Sequence, residues 1–327
     1  GMGQRQFENE AFMLEFRPIR LEDQAWIQQA LRQSDFQGCE YSFANNLAWC
    51  RSGNVQIAKW EGFYISRSDG ETPDVPVFTF PAGSGDYQAV FRELAAYASE
   101  RQVPLYVRGV TPQVAPILES LFPGQYTLTP QRDEFDYIYR TEDLITLKGK
   151  KYHKKRNHLK QFQRYASTFS LMTPDDFDDC IAFSASFYNE KEGYLDPSSV
   201  AEQYAIHTFF THFKTLGLQG GVLRVDGKLV AFTIGEPLNQ NTYGVHIEKA
   251  DVQYQGAYPA INQAFVEAVA ASYAYVNREE DLGLEGLRQA KESYYPAILL
   301  EKATAVFPHP EQIEATTFAK THGSIKT

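Results

Sequence analysis

The sequence predicts an α+β protein made of two tandem domains that arose by internal duplication. Three observations carry that prediction. One order of strand-like and helix-like segments runs twice along the chain, LYVRGVTPQVAPIL and AYVNREEDLGLEGL occupy the same slot in the two runs, and one strongly basic segment separates them. At 327 residues, 43% hydrophobic and 14% aromatic, the chain has material for two cores.

The first run opens with a strand-like LEFRPI, a helical EDQAWIQQALRQ and a shorter helical SFANNLAWC. NVQIAKW, GFYISRS and VPVFTF follow, rich in β-branched and aromatic residues, the first two joined at Glu61-Gly62. The helix DYQAVFRELAAYASE, the strand PLYVRG, the helix APILESLF and the strands YTLTP and DEFDYIYR complete the run. The second run starts with FSLMTP and the helices TPDDFDDCIAFSASFY and SVAEQYAIHTFFTHFKTL. GGVLRV and KLVAFTIG flank Asp226-Gly227, the strongest hairpin signal in the chain, and NTYGVHIEK is the third strand. YPAINQAFVEAVAASY reads as a helix with Pro259 in its first turn, where a missing N–H does no harm. AYVN, LEGLRQAKESYY and PAILLEKATAVF close the run. The boundary is expected near residue 142, giving domains 1–142 and 143–327, the second opening with a basic helix, with a loose polar tail after about Pro308.

No apolar run approaches the roughly eighteen residues of a membrane-spanning helix. The N-terminus lacks the basic and apolar regions of a secretion signal, and the expected compartment is the cytosol. Cys39, Cys50 and Cys180 are scattered and read as buried thiols, and His207 and His212 lack a third ligand, so no metal is expected.

The net charge is −10, from 31 basic and 41 acidic residues, yet Lys148 to Arg164 holds eight Lys and Arg and two His in seventeen positions without an acid. Tyr152, Leu159, Phe162 and Ala166 recur at helical spacing, leaving Lys154, Lys155, Lys160 and Arg164 on the remaining circumference. Such a face suits phosphates, with Lys150, Lys154 and Arg156 singled out; a plain solvated face is the alternative.

Strand, two helices, a three-strand meander, helix, strand, helix and strand is an order that resembles the GNAT acyltransferase fold. The tandem pair, the joint LKGKKYHKKRNHLKQF, the stretch NREEDLGLEGLRQAK and the K-x-x-Y-x-P of Lys291, Tyr294 and Pro296 resemble the C-terminal domain of phosphatidylglycerol lysyltransferase. The Fem peptidyltransferases and leucyl/phenylalanyl-transferases are similar. The resemblance covers most of the chain and implies aminoacyl-tRNA as donor, with tRNA and an anionic lipid or membrane surface as partners and no further cofactor. It places Lys291 near the tRNA terminal adenosine or a lipid phosphate, with Tyr294 as the accompanying aromatic. The lysyltransferases carry a multi-spanning membrane region ahead of this domain and this sequence has none, which leaves the acceptor open. Members that bind acetyl-CoA place Q/R-x-x-G-x-G/A before the helix; here Gln253 and Gly256 match and Tyr258 does not, so acyl-CoA is the alternative donor.

Alternation in NTYGVHIEK sends His246 and Glu248 to one face, where Glu248 is expected as proton acceptor and His246 as its assistant. Asn277, Glu279 and Asp281 offer acceptors to an aminoacyl group, although Asp281 equally suits a helix cap. Arg288 and Lys291 share a helix face. Three functions stay open: an aminoacyl-tRNA-dependent transferase, an acyl-CoA-dependent N-acyltransferase, and a non-catalytic RNA- or phosphate-binding module.

Overall fold

The computed structural model describes residues 14–72, 74–189 and 197–313; the segment beyond 313, which holds most of the expected tail, lies outside them. In chain order the first elements are β1 (Arg17–Pro18), α1 (Gln24–Ser34), α2 (Phe43–Ala48), β2 (Gln56–Trp60), β3 (Phe63–Asp69), β4 (Pro76–Thr79), β5 (Ala82–Gly83), α3 (Tyr87–Glu100), β6 (Leu105–Val110), α4 (Ala115–Leu121) and β7 (Thr127–Pro130). There follow β8 (Asp136–Arg140), α5 (Thr141–Thr146), α6 (His153–Phe162), β9 (Ser167–Leu171), α7 (Phe177–Asn189), α8 (Pro197–Thr211), β10 (Gln219–Val225), β11 (Lys228–Pro237) and β12 (Thr242–Ala250). The last are α9 (Ala257–Val269), β13 (Tyr275–Asn277), α10 (Glu285–Glu292), β14 (Ile298–Leu300) and β15 (Ala303–Phe307).

The chain divides into two compact units, each with one sheet. The strand order is β1-β2-β3-β4-β6-β15-β7 in the first, with β5 added to β3, and β9-β10-β11-β12-β13-β8-β14 in the second. The orders match position by position, as a duplication requires. The sixth position, however, is filled in each sheet by the strand that ends the other run. β8 pairs antiparallel with β13 and β14, and β15 with β6 and β7. A single cut near 142 therefore does not describe the units. The second unit comprises Gln37–Trp49 and Asp133–Leu300, so it takes α2 and β8 from the first run, while the stretch from Glu301 onward belongs to the first unit. Local alternation identifies a strand but not its partner, so this exchange has no local sequence signature.

In the second unit, Asp226 and Gly227 both take positive φ, 51° and 78°, as the two-residue hairpin between β10 and β11 requires. One face of β12 sends Tyr243 and Val245 into a core with Tyr137, Tyr139 and Phe265. The basic helix α6 is anchored by Tyr152 and Phe162, both buried, while Lys148, Lys150, Lys151, Lys154, Lys160 and Arg164 are exposed. The helix ends at Phe162, so Ala166 is exposed and not an anchor. Among the described residues no helix is long and apolar enough to cross a membrane.

Candidate active site

β12 and β13 run parallel and pair only from Thr242↔Tyr275 to Gly244↔Asn277. Past that point β12 continues without β13, and the side chains of Arg278 and Glu279, just after β13, meet those of β12. On the other side, a register shift between Ile234 and Gly235 re-aims the end of β11. The shift depends on glycine: a Cβ at Gly235 would stand 2.5 Å from the Gly244 carbonyl oxygen. Glu236, next along, is thereby brought to His246.

Two polar clusters result, on residues two apart on one strand face and so roughly 7 Å from each other. In the first, His246 Nε2 lies 2.6 Å from Glu236 Oε2 and Nδ1 2.8 Å from Glu279 Oε2, with the ring stacked on Phe209. The side chain of His246 is fully buried, which opposes its charged form. The negative charge of Glu279 and the hydrogen bonds to both carboxylates outweigh that penalty and push its pKa up to about 10. At neutral pH it is an imidazolium, a donor on both nitrogens and no base. Helix α2 completes the cluster: Ser42 Oγ donates to Glu236 Oε2 (2.8 Å) and Asn45 Nδ2 to Glu279 Oε2 (2.8 Å). Glu279 Oε1 has no hydrogen bond among the described residues. The residue itself sits at φ 67°, held by its N–H donating to Asn277 Oδ1 (2.8 Å). Such backbone strain in a non-glycine residue persists only where surrounding contacts hold it.

In the second cluster, Glu248 accepts from Arg278 Nη2 (2.7 Å) and from Asn262 Nδ2 (3.0 Å). Arg278 lies over the Tyr294 ring, 4.6 Å from its centroid, and Lys155 of α6 lies over the same ring at 4.2 Å. Burial and the neighbouring Arg278 depress the Lys155 ammonium to about 8, against the pull of Glu248. Lys155 was expected on the outer circumference of the helix; it is half-buried instead. Tyr152, Lys155, Leu159 and Phe162 are spaced three, four and three apart, so the helical period places Lys155 on the inward face.

Several expected site residues hold the loop together instead of facing outward. Asn277 donates to Gln37 O and Asp136 Oδ2. Asp281 accepts from Tyr137 Oη, the Gly283 N–H and Arg288 Nε, and these bonds hold its pKa far down despite burial. Arg288 is spent on Asp281 and Asp133. Lys291 Nζ donates to the carbonyls of Arg278 (2.6 Å) and Glu280 (2.7 Å), and burial, with Arg278 nearby, lowers its pKa. Arg156 donates to the carbonyls of Leu147 and Gly149, both at 2.6 Å, capping the turn before α6. Glu236, Arg278, Ser42 and Asn45 were not anticipated. Cys39 Sγ, Asp136 and Glu280 come within 4.8 Å of one another, a possible ligand trio, although Cys39 already donates its N–H and thiol to Asp136. An open concavity of about 530 Å³ lined by Arg140, Glu142, Tyr273 and Tyr275 lies toward the Thr242 end of β12 and does not include His246 or Glu248.

The turn Gln253 to Gly256 leads into α9, with Gly256 at φ 85°. A Cβ on Gly256 would stand 2.1 Å from His158 O and 3.0 Å from Phe162 Cβ. Helix α6 thus covers the N-terminus of α9, where a pyrophosphate would otherwise sit. Gly256→Ala is expected to destabilise the protein by about 2 kcal/mol or more, from left-handed strain plus the clash. An unchanged denaturant midpoint would refute this packing.

The sequence matches the family described as "Phosphatidylglycerol lysyltransferase, C-terminal" over residues 31–305. A conserved protein of unknown function from Bacteroides thetaiotaomicron is 38% identical, with a TM-score of 0.82, covering 90% of this chain and 100% of that one. L-PGS from Bacillus licheniformis is 14% identical with a TM-score of 0.64, over 92% and 96% of the two chains, a likeness of fold. An uncharacterised protein of Mycoplasmoides gallisepticum is 27% identical over 176 residues, which are 51% of this chain and 54% of the other; the match spans about half of that curated relative. The two sheets are those of tandem GNAT-type units.

Proposed function

The chain belongs to the family of phosphatidylglycerol lysyltransferase C-terminal domains, a group of acyltransferases, and on that premise we propose that it moves an aminoacyl group from aminoacyl-tRNA to a hydroxyl or amine acceptor on a lipid or small molecule. The observation that carries this reading is the His246 ring clamped between two carboxylates. Two carboxylates around one cation leave one negative charge in excess, with Glu279 Oε1 open. That charge complements the α-ammonium of an aminoacyl ester and has no use for a neutral acetyl group. An aminoacyl ester is already activated, so the protein has only to align acceptor and carbonyl, take a proton and stabilise the oxyanion. Glu248, oriented by Arg278 and Asn262 and retaining lone pairs on both oxygens, is the proposed proton acceptor. The exposed lysines of α6 would follow the RNA backbone without reading its sequence.

An acyl-CoA donor is favoured by Gln253 and Gly256, but α6 packs over the helix end that its pyrophosphate would need. Incubating the protein with charged tRNA, and separately with acetyl-CoA, over a panel of acceptors tests the choice directly. RNA-hairpin binding is expected to weaken steeply with salt and to be lost in Lys150→Glu with Lys154→Glu, both exposed positions. Equal binding by this double variant at low salt would reduce the basic segment to a solvated face.

A further inference from the structure

The second polar cluster carries more positive charge than it balances. Glu248 is the one carboxylate that its described contacts give to Arg278, and Lys155 has no hydrogen bond or ion pair among the described residues. Arg278 is 11% exposed at its side chain; the Tyr294 phenol lies close enough to interact with the guanidinium, but the buried Nη1 has no well-formed hydrogen bond among the described residues. A buried guanidinium nitrogen without an acceptor is costly, and a neighbouring ammonium in a half-buried setting adds to the cost. Both penalties are relieved by one anion. We propose that Lys155 and Arg278 Nη1, flanking the Tyr294 ring, form a binding subsite for a phosphodiester.

A phosphodiester fits better than a carboxylate because the positive surface continues. Lys151, exposed, lies 5.3 Å from the centroids of both Tyr152 and Tyr295, and Lys154 is exposed next to Lys155. A chain of phosphodiesters entering the subsite would meet those lysines next, whereas a lone carboxylate would not. Burial and the adjacent Arg278 depress the Lys155 ammonium, and an anion bound between the two would favour its charged form. The proposal deepens the aminoacyl-transfer reading and rests on it only for the owner of the phosphate. That owner is the unpaired end of the RNA donor, whose backbone runs on as a chain of phosphodiesters, whereas a lipid headgroup carries only one.

The parent chain, Lys155→Ala and Lys155→Arg are titrated calorimetrically with the dinucleotide CpA and with glycerophosphoglycerol, a deacylated lipid headgroup. CpA is expected to bind, about tenfold more weakly to Lys155→Ala and near parental strength to Lys155→Arg. NMR of the ¹³C-methylated lysines should show the Lys155 pKa rising when that ligand is added. Binding of CpA, alone or more tightly than glycerophosphoglycerol, supports the RNA assignment, and binding of glycerophosphoglycerol alone overturns it in favour of a lipid headgroup. Binding of neither, or equal binding by parent and Lys155→Ala, overturns the subsite. Because no transfer is involved, a subsite that binds in a protein inactive on charged tRNA sinks the proposed function alone. Full transfer by a Lys155→Ala protein that has lost nothing in binding sinks the subsite alone.

Discussion

Replacing His246 with leucine is expected to cost about 3–5 kcal/mol of stability, because it strands Glu236 and Glu279 as buried or nearly buried carboxylates without their shared cation. For a unit of this size that corresponds to a fall in Tm of roughly 6–20 °C. The penalty comes from unpaired charge and not from lost volume, and that distinction can be tested. Adding Glu236→Gln to the leucine variant should recover part of the loss, whereas a cavity would be unaffected. The pH dependence has a defined sign. The imidazole pKa is about 10 in the folded protein against 6.5 ordinarily, so its stabilisation is complete below about pH 6.5 and fades as pH rises toward 10. The difference between parent and leucine variant should therefore shrink steadily over that interval. A constant difference from pH 6 to 10 would show that His246 is held neutral and that its carboxylate contacts do not stabilise a charge.

Much of this site could be read from alternation along one strand. Putting His246 and Glu248 on one face of NTYGVHIEK needs only the two-residue period, and the pair does occupy one face. Their partners were another matter. Glu236 reaches His246 through a register shift that a glycine permits, and Arg278 reaches Glu248 because β13 stops pairing at Asn277. Neither event leaves a periodic trace. Ser42 and Asn45 come from the first run, on a helix whose membership of the second unit is a tertiary fact. The inward face of Lys155 is legible in the sequence: a long basic run suggests a solvated surface, but the apolar residues on either side at helical spacing share its face. The same logic covers Lys291 and Asp281. Their types suited a ligand, and only the fold reveals that backbone carbonyls and the Tyr137 hydroxyl had already taken them.

Glu248→Gln is expected to lower turnover in aminoacyl transfer by about 10²-fold to 10⁴-fold while leaving donor affinity nearly unchanged, as removal of a proton acceptor does. The structure complicates the measurement. Glu248 is the described anionic partner of the buried Arg278, so the amide leaves that guanidinium without a counter-charge, and some stability will be lost with the activity. Glutamine is the proper replacement because its carbonyl can still accept from Arg278 Nη2. Turnover is then expressed per folded molecule, below the variant's own melting range. The two roles separate on pH and on rescue. A base contributes a limb to the pH–rate profile that vanishes with its carboxylate, whereas a residue that only positions Arg278 leaves the profile's shape intact and lowers it uniformly. Glu248→Asp keeps the charge on a shorter side chain; it should retain the limb at reduced height if Glu248 takes the proton. A folded Glu248→Gln protein with parental turnover would place the proton's route elsewhere, with Glu279 Oε1, the open carboxylate oxygen of the other cluster, as the next residue to replace.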